Sequence, residues 1–389
     1  MATIYCNPDF GVSDGDNSGS SEANAWRTLQ EGITAINAAA AGSILYIKRT
    51  SSRIDESNVT ITGSGGHSNY TTIEGYTTTP GDNGMFEYGD YWEIDGDYVS
   101  IKNIDIEFSH TGSNGSNIGV LRFDSSSEKG HLYNCKIYNT STGTNHVAVK
   151  INSAAVITNC EIVSDGNITS AQRGAIYCNS FDGAVVSGCV VRGIRGFGGL
   201  AAFHGVCIEG NIFCHAPNRQ MEVGIDLDLM SGTAQVGECI VANNTIITDN
   251  IGINFKEIFS DNEAVCFLVK NNLIYGDGGG IGIQNEAAEG DFGTVGVSII
   301  GNATGNMGGS SNHISGFDAT NTTYDNIDLT ADPFVDVDNE DFRLNGVAGG
   351  GAACRASASP TTFKNMSFTN RRSVGAVGHD GLVERVSVG

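Results

Sequence analysis

Two carboxylates stand two residues apart in Ile225-Asp226-Leu227-Asp228-Leu229, and Ile253-Asn254-Phe255-Lys256 follows one period later. If the apolar residues of each segment face a core, Asp226 and Asp228 project together from the other side of the strand, about 7 Å apart. Asn254 and Lys256 then fall on the same face, with His204 one period earlier and Glu222 just before the first strand. Such a cluster has two uses. Asp226 and Asp228 could hold calcium while Lys256 abstracts a proton, with His204 and Asn254 contacting substrate, or the two carboxylates could work as an acid–base pair. The competing interpretation is an ordinary solvated strand face, on which cross-strand ion pairs contribute only about 0–1 kcal/mol. A second outward ladder, Arg122, Lys150 and Tyr177, gives a basic and aromatic strip suited to sugar, or again a solvated face.

These residues are positioned by a recurring phrase: apolar residue, spacer, polar pair, spacer, apolar residue. It begins with Leu132-Tyr-Asn134-Cys135-Lys-Ile137 and Ile157-Thr-Asn159-Cys160-Glu-Ile162. Later copies centre on Gly188-Cys189, Gly210-Asn211, Asn243-Asn244, Asn271-Asn272 and Gly301-Asn302. From Cys135 to Asn302 the steps are 25, 29, 22, 33, 28 and 30 residues, a period that indicates a solenoid. Each period holds two or three short runs of alternating apolar residues and no helical pattern, so stacked coils of parallel strands are expected. The doublets read as corner fillers, with the cysteines as small buried thiols rather than disulfides or nucleophiles.

Residues 26–41, with Trp26, Leu29, Ile33 and Ile36 at spacings of three and four, predict one helix that caps the first coil. Three segments are expected: 1–43 as strand and cap, 44–302 as the coiled body and 303–389 as an irregular closing segment. The long connection Thr77–Tyr91, with Pro80, Met85, Phe86 and Tyr88, is a place for a binding surface. Asp14-Gly-Asp16-Asn-Ser18-Gly19 partly matches a calcium loop, but its twelfth position is Ala25, and a solvated turn is the better reading. The remaining histidines show no metal-ligand spacing and read as surface or loop residues.

With 44 acidic and 21 basic residues the formal charge is −23, which makes nucleic acid and anionic membranes poor partners. No stretch is apolar enough for a membrane helix, and Met1–Asn7 has neither the basic start nor the apolar run of a signal peptide.

Three features resemble the right-handed parallel β-helix, or pectate-lyase-like, family. They are the opening (Asn17-Ser-Gly19, Ala25-Trp-Arg-Thr-Leu29, Gly42-Ser-Ile-Leu-Tyr-Ile47), the Asn/Cys corners, and the Asp332-Pro-Phe, Asp341-Phe-Arg-Leu344 and Ser359-Pro360 elements of the tail. The resemblance implies an all-β, right-handed parallel β-helix with an N-terminal capping helix and an irregular C-terminal cap. It does not fix an activity, because the scaffold serves lyases, hydrolases, adhesins and virus tailspikes. The motifs of the polygalacturonase-like hydrolases are missing, and Phe203 precedes His204-Gly205 where their Gly-His-Gly would stand. The calcium-dependent lyases' carboxylate cluster with a nearby base is matched in part by Asp226, Asp228 and Lys256.

The function expected first is therefore a structural or receptor- and glycan-binding component of a bacteriophage particle: a spike, fibre or head decoration. Such a protein would be made in the host cytoplasm, assemble with other virion proteins, with a homotrimer as the expected oligomer, and meet cell-surface polysaccharide. The alternatives are a polysaccharide lyase or glycoside hydrolase acting on the outer face, with calcium as the one cofactor to consider, and a secreted or surface adhesin.

Overall fold

The computed structural model describes the chain except for residues 10–17, 55–58, 64, 109–118, 125–128, 142–146, 166–173, 180–182, 201–204, 217–219, 229–235, 257–263, 287–295, 309–312, 318–321, 358–361, 364–365 and 368–389. It is an all-β parallel β-helix built from three sheets, here A, B and C, each visited once per coil. Two compact units are distinguished, one formed mainly by residues 1–170 and 176–184, the other mainly by 185–389.

In the first unit the coils stack in register. Ile101, Leu132 and Ile157 form a continuous apolar row in sheet A, and Ile106, Ile137 and Ile162 another in sheet B. The second unit repeats the arrangement with Val241, Val269 and Ile299 in sheet A and Ile225, Ile253 and Ile283 in sheet C. Every second residue of a strand points inward, so a spacing that keeps one apolar residue in phase keeps the row.

The corner phrase resolves into two separate roles. The first member of the doublet takes a left-handed backbone: Asn134, Asn159, Asn243 and Asn271 have φ between 51° and 57°, and Gly188, Gly210 and Gly301 lie at 63–67°. Asn and Gly are the residues that tolerate this conformation best, which explains their alternation there. Some first members also bond across coils, as Asn243 Nδ2 does to Glu209 Oε1 at 3.0 Å, but the continuous ladder is made by the buried second member. Asn244 Oδ1 accepts from both the backbone and the side-chain amide of Asn211, each at 3.0 Å. Asn244 in turn donates its own two N–H groups to Asn272 Oδ1, and Asn272 does the same to Asn302. Each side-chain amide also reaches a carbonyl of the preceding coil, as Asn244 Nδ2 does at Ile208 O. Cys135 and Cys160 fill the equivalent place in the first unit, their thiols donating to Tyr133 O and Thr158 O. The described cysteines are free thiols.

The predicted helix is present but shorter, Leu29–Asn37. Thr28 and Glu31 form a capping box that fixes its start, and Trp26 lies instead in an extended bridge with Cys6. Leu29, Ile33 and Ile36 are buried against the strands Thr3–Cys6, Ile44–Lys48 and Val59–Ile61.

Two expectations are corrected. The connection Thr77–Tyr91 is not a free loop: Phe86 and Tyr88 are fully buried in the strand Phe86–Tyr88. Asp82 ties down the turn before it by accepting from the backbone N–H groups of Thr77, Thr78, Thr79 and Gly84. The coils also run past residue 302, because Asn326 continues the ladder below Asn302. Ala303–Gly305, Ile314–Ser315, Thr322–Tyr324 and Ile327–Leu329 pair onto sheets B, C, A and B. The tail proper is the hairpin Phe334–Asp336/Asp341–Leu344 and the helix Gly351–Ser357. Phe334, Phe342, Leu344 and Cys354 of this tail pack on Ile212, Ile247 and Leu273 of sheet B.

Candidate functional site

Sheet C of the second unit positions the residues in question. Inward positions are taken by Phe197, Ile225, Ile253, Leu227 and Phe255, all buried. Between these positions the backbone register aligns Gly198, Asp226, Asn254, Gln284 and Ser315 in one row, and Leu200, Asp228 and Lys256 in the next. The paired rows anticipated from sequence are therefore real at the level of backbone register.

Asp226, however, is not a solvated carboxylate: it is 1% exposed. Arg195 Nη1 donates to its Oδ2 at 3.0 Å, and Asn254 Nδ2 donates to its Oδ1 at 3.0 Å. Asn254 is itself 2% exposed. Arg195 also approaches Glu222, with Nη2 and Oε2 3.8 Å apart. Lys256 is half-buried one row away. Burial pushes the Asp226 carboxyl above the ordinary aspartate range and Glu286 adds to this, while Arg195, Lys256 and the Asn254 amide pull the other way. The solvated-face reading fails here because an exposed ion pair would leave the carboxylate in water.

This geometry bears on the calcium expectation. Each oxygen of Asp226 already accepts a hydrogen bond, one of them from a cation, so as placed Asp226 anchors Arg195 rather than offering itself to a metal. Among the described residues no group of three His, Cys, Asp or Glu side chains is arranged to hold a metal ion. The structure describes the backbone of Asp228 in the strand Val223–Asp228, and its side chain lies outside the described part. His204 also lies outside the described residues, as do Asp14 and Asp16 of the calcium-like turn.

Arg195 was missed by sequence reading. It opens the glycine-rich strand Arg195–Leu200, which lacks the alternating apolar pattern. The available signal was its position opposite Val223 one period on, beside the acidic row.

Arg122, Lys150 and Tyr177 do form one row, on sheet C of the first unit, but not a basic strip open to sugar. Arg122 is held by Glu93, which stands opposite it on the preceding coil, and by Asp124 at 2.5 Å. Lys150 is 8% exposed, and Tyr177 Oη donates to Asn179 Oδ1 at 3.4 Å. In an acidic chain the cations are consumed by neighbouring carboxylates. Nor are the histidines uniformly peripheral: His313 Nδ1 lies 2.6 Å from Thr304 Oγ1, and burial lowers the His131 pKa.

No family model and no curated protein matches this chain. Solved structures do. A pectate lyase, Pel9A, superposes with a TM-score of 0.64 at 14% identity, covering 97% of this chain and 96% of that one. A rhamnogalacturonan lyase gives 0.55 at 13% identity over 95% and 97%. The chain has the pectate lyase fold. At these identities the likeness carries the fold alone.

Proposed function

We propose that this protein is a polysaccharide lyase acting on a uronate-containing chain at the outer face of sheet C in the second unit. The observation that carries this reading is the buried Arg195–Asp226–Asn254 network beside Lys256. Burying a carboxylate with its cation is costly unless the geometry is well satisfied, and outward strand positions rarely do it. The fold shared with two lyases over nearly the whole chain is a scaffold compatible with this chemistry.

In this mechanism the Lys256 amine takes the proton from the sugar carbon next to the uronate carboxyl. The electron pair of that C–H bond forms a carbon–carbon double bond, the adjacent C–O glycosidic bond breaks with its electrons going to the leaving oxygen, and that oxygen takes a proton from water, while the Lys256 ammonium returns its proton to solvent. Arg195, oriented by Asp226, is placed to hydrogen-bond the uronate carboxylate, although Asp226 offsets its charge. A hydrolase using Asp226 and Asp228 as an acid–base pair is disfavoured, because both Asp226 oxygens are already engaged.

A screen of pectic, alginate-type and neutral polysaccharides, with and without calcium, tests the proposal through the ultraviolet absorbance of the unsaturated product. Lys256→Ala should lower turnover about 10²- to 10⁴-fold, the usual contribution of a positioned base, with Asp226→Asn reducing it through Arg195. Full activity in Lys256→Ala would remove the assignment. Cleavage that raises reducing ends without the absorbance would favour the hydrolase. The same scaffold would serve a phage spike; virion association with no turnover on any glycan would favour that reading.

A further inference from the structure

The outer face of sheet B in the second unit is apolar, and the C-terminal segment covers part of it. Beside that contact the two layers part to leave a cavity of about 570 Å³, a size suited to a small organic molecule. Ile247, Tyr275 and Phe342 give it apolar surface, and Asp249, Asp277, Asp332, Asp338 and Glu340 line the rest, with His215 as the one basic residue among them.

The charges do not cancel. Glu340 is neutralised by Arg192, which reaches its two oxygens at 2.5 and 2.8 Å and fixes the hairpin to the sheet. His215 Nε2 and Asp249 Oδ2 pair at 3.3 Å, outside hydrogen-bond geometry. Asp249 is 14% exposed. Burial raises its pKa, His215 opposes this, and Asp277 presses it further upward. With His215 taken up by Asp249, the described lining offers no further cation to Asp277, Asp332 and Asp338, and a cationic ligand would meet that uncompensated charge.

The chemistry narrows the ligand. An anion would meet Asp249, Asp277, Asp332 and Asp338 against one histidine. A metal ion requires converging ligands, and the described residues offer no such group. An ammonium group satisfies the carboxylates by charge-assisted hydrogen bonds while its carbon frame rests on Tyr275 and Phe342. We propose that this cavity binds a compact molecule carrying a protonated primary amine, such as an amino sugar or a polyamine. The site lies on a different sheet from Lys256 and does not depend on the lyase assignment.

Calorimetric titration of the full chain tests it with three probes: the glucosamine disaccharide with free amines, its N-acetylated counterpart, and spermidine. The free amine should bind about tenfold or more tightly than the acetylated sugar, the loss of one charge-assisted bond. Spermidine binding as tightly as the sugar would identify the amine as the whole determinant, whereas a preference for the sugar would assign the rest to the Tyr275 ring. Asp277→Asn and Asp338→Asn change exposed rim positions, and each should weaken binding several-fold, while Lys256→Ala leaves it unchanged. Equal affinity for free and acetylated sugar, no heat with either amine, or undiminished binding in both rim variants would overturn the proposal.

Discussion

At the scale of single residues, Asp226 is the position where environment departs furthest from residue type. Its folded pKa is raised, so the folded state holds the proton more tightly than the unfolded chain does. Its contribution to stability is therefore fully present at pH below the unfolded aspartate value and is lost as pH rises through the higher folded value. Asp226→Asn cannot ionise and lacks that dependence. Urea unfolding of both proteins across this window should show the wild type losing stability relative to the variant as pH increases; parallel curves would mean that Arg195 fully offsets the burial. The sequence placed Asp226, Asn254 and Lys256 correctly on one outward face, because period-two alternation fixes direction. It could not show that this outward carboxylate is buried, or that Arg195 reaches it, since both depend on what lies over the strand and on a contact across coils.

At the scale of elements, the Asn doublet divides its work between backbone and side chain. The sequence marks both positions, but only the structure separates a left-handed corner from a buried amide stack. Replacing Asn244 by Ala removes an acceptor for two N–H groups of Asn211 and the donor to Ile208 O. Leaving such groups unsatisfied in the interior should destabilise the protein by about 2–4 kcal/mol. Asn159→Gly, at the half-buried left-handed position of another corner, should change stability far less, because glycine already fills that place at Gly188, Gly210 and Gly301. Denaturation midpoints of the two variants give the comparison, and equal losses would contradict the division of roles. Phe86 and Tyr88 show the opposite limit of legibility: a three-residue strand after a long turn has too few alternations to be told from a loop.

At the scale of the whole molecule, repetition made the fold legible and concealed the function. A repeat with one apolar row per sheet predicts parallel coils from any stretch of the chain. The tail does not repeat, so its packing on sheet B and the cavity beside it had no sequence signal beyond the loss of period. The N-terminal helix has a different consequence. The outermost strands at the end of a parallel stack carry rows of backbone N–H and C=O groups that a strand of another copy can pair with. The helix Leu29–Asn37 sits over that end as a growth stop. Removing residues 1–41 would leave Ile44–Lys48 and Val59–Ile61 as open edges, and the shortened protein should self-associate with rising concentration in sedimentation while the full chain does not.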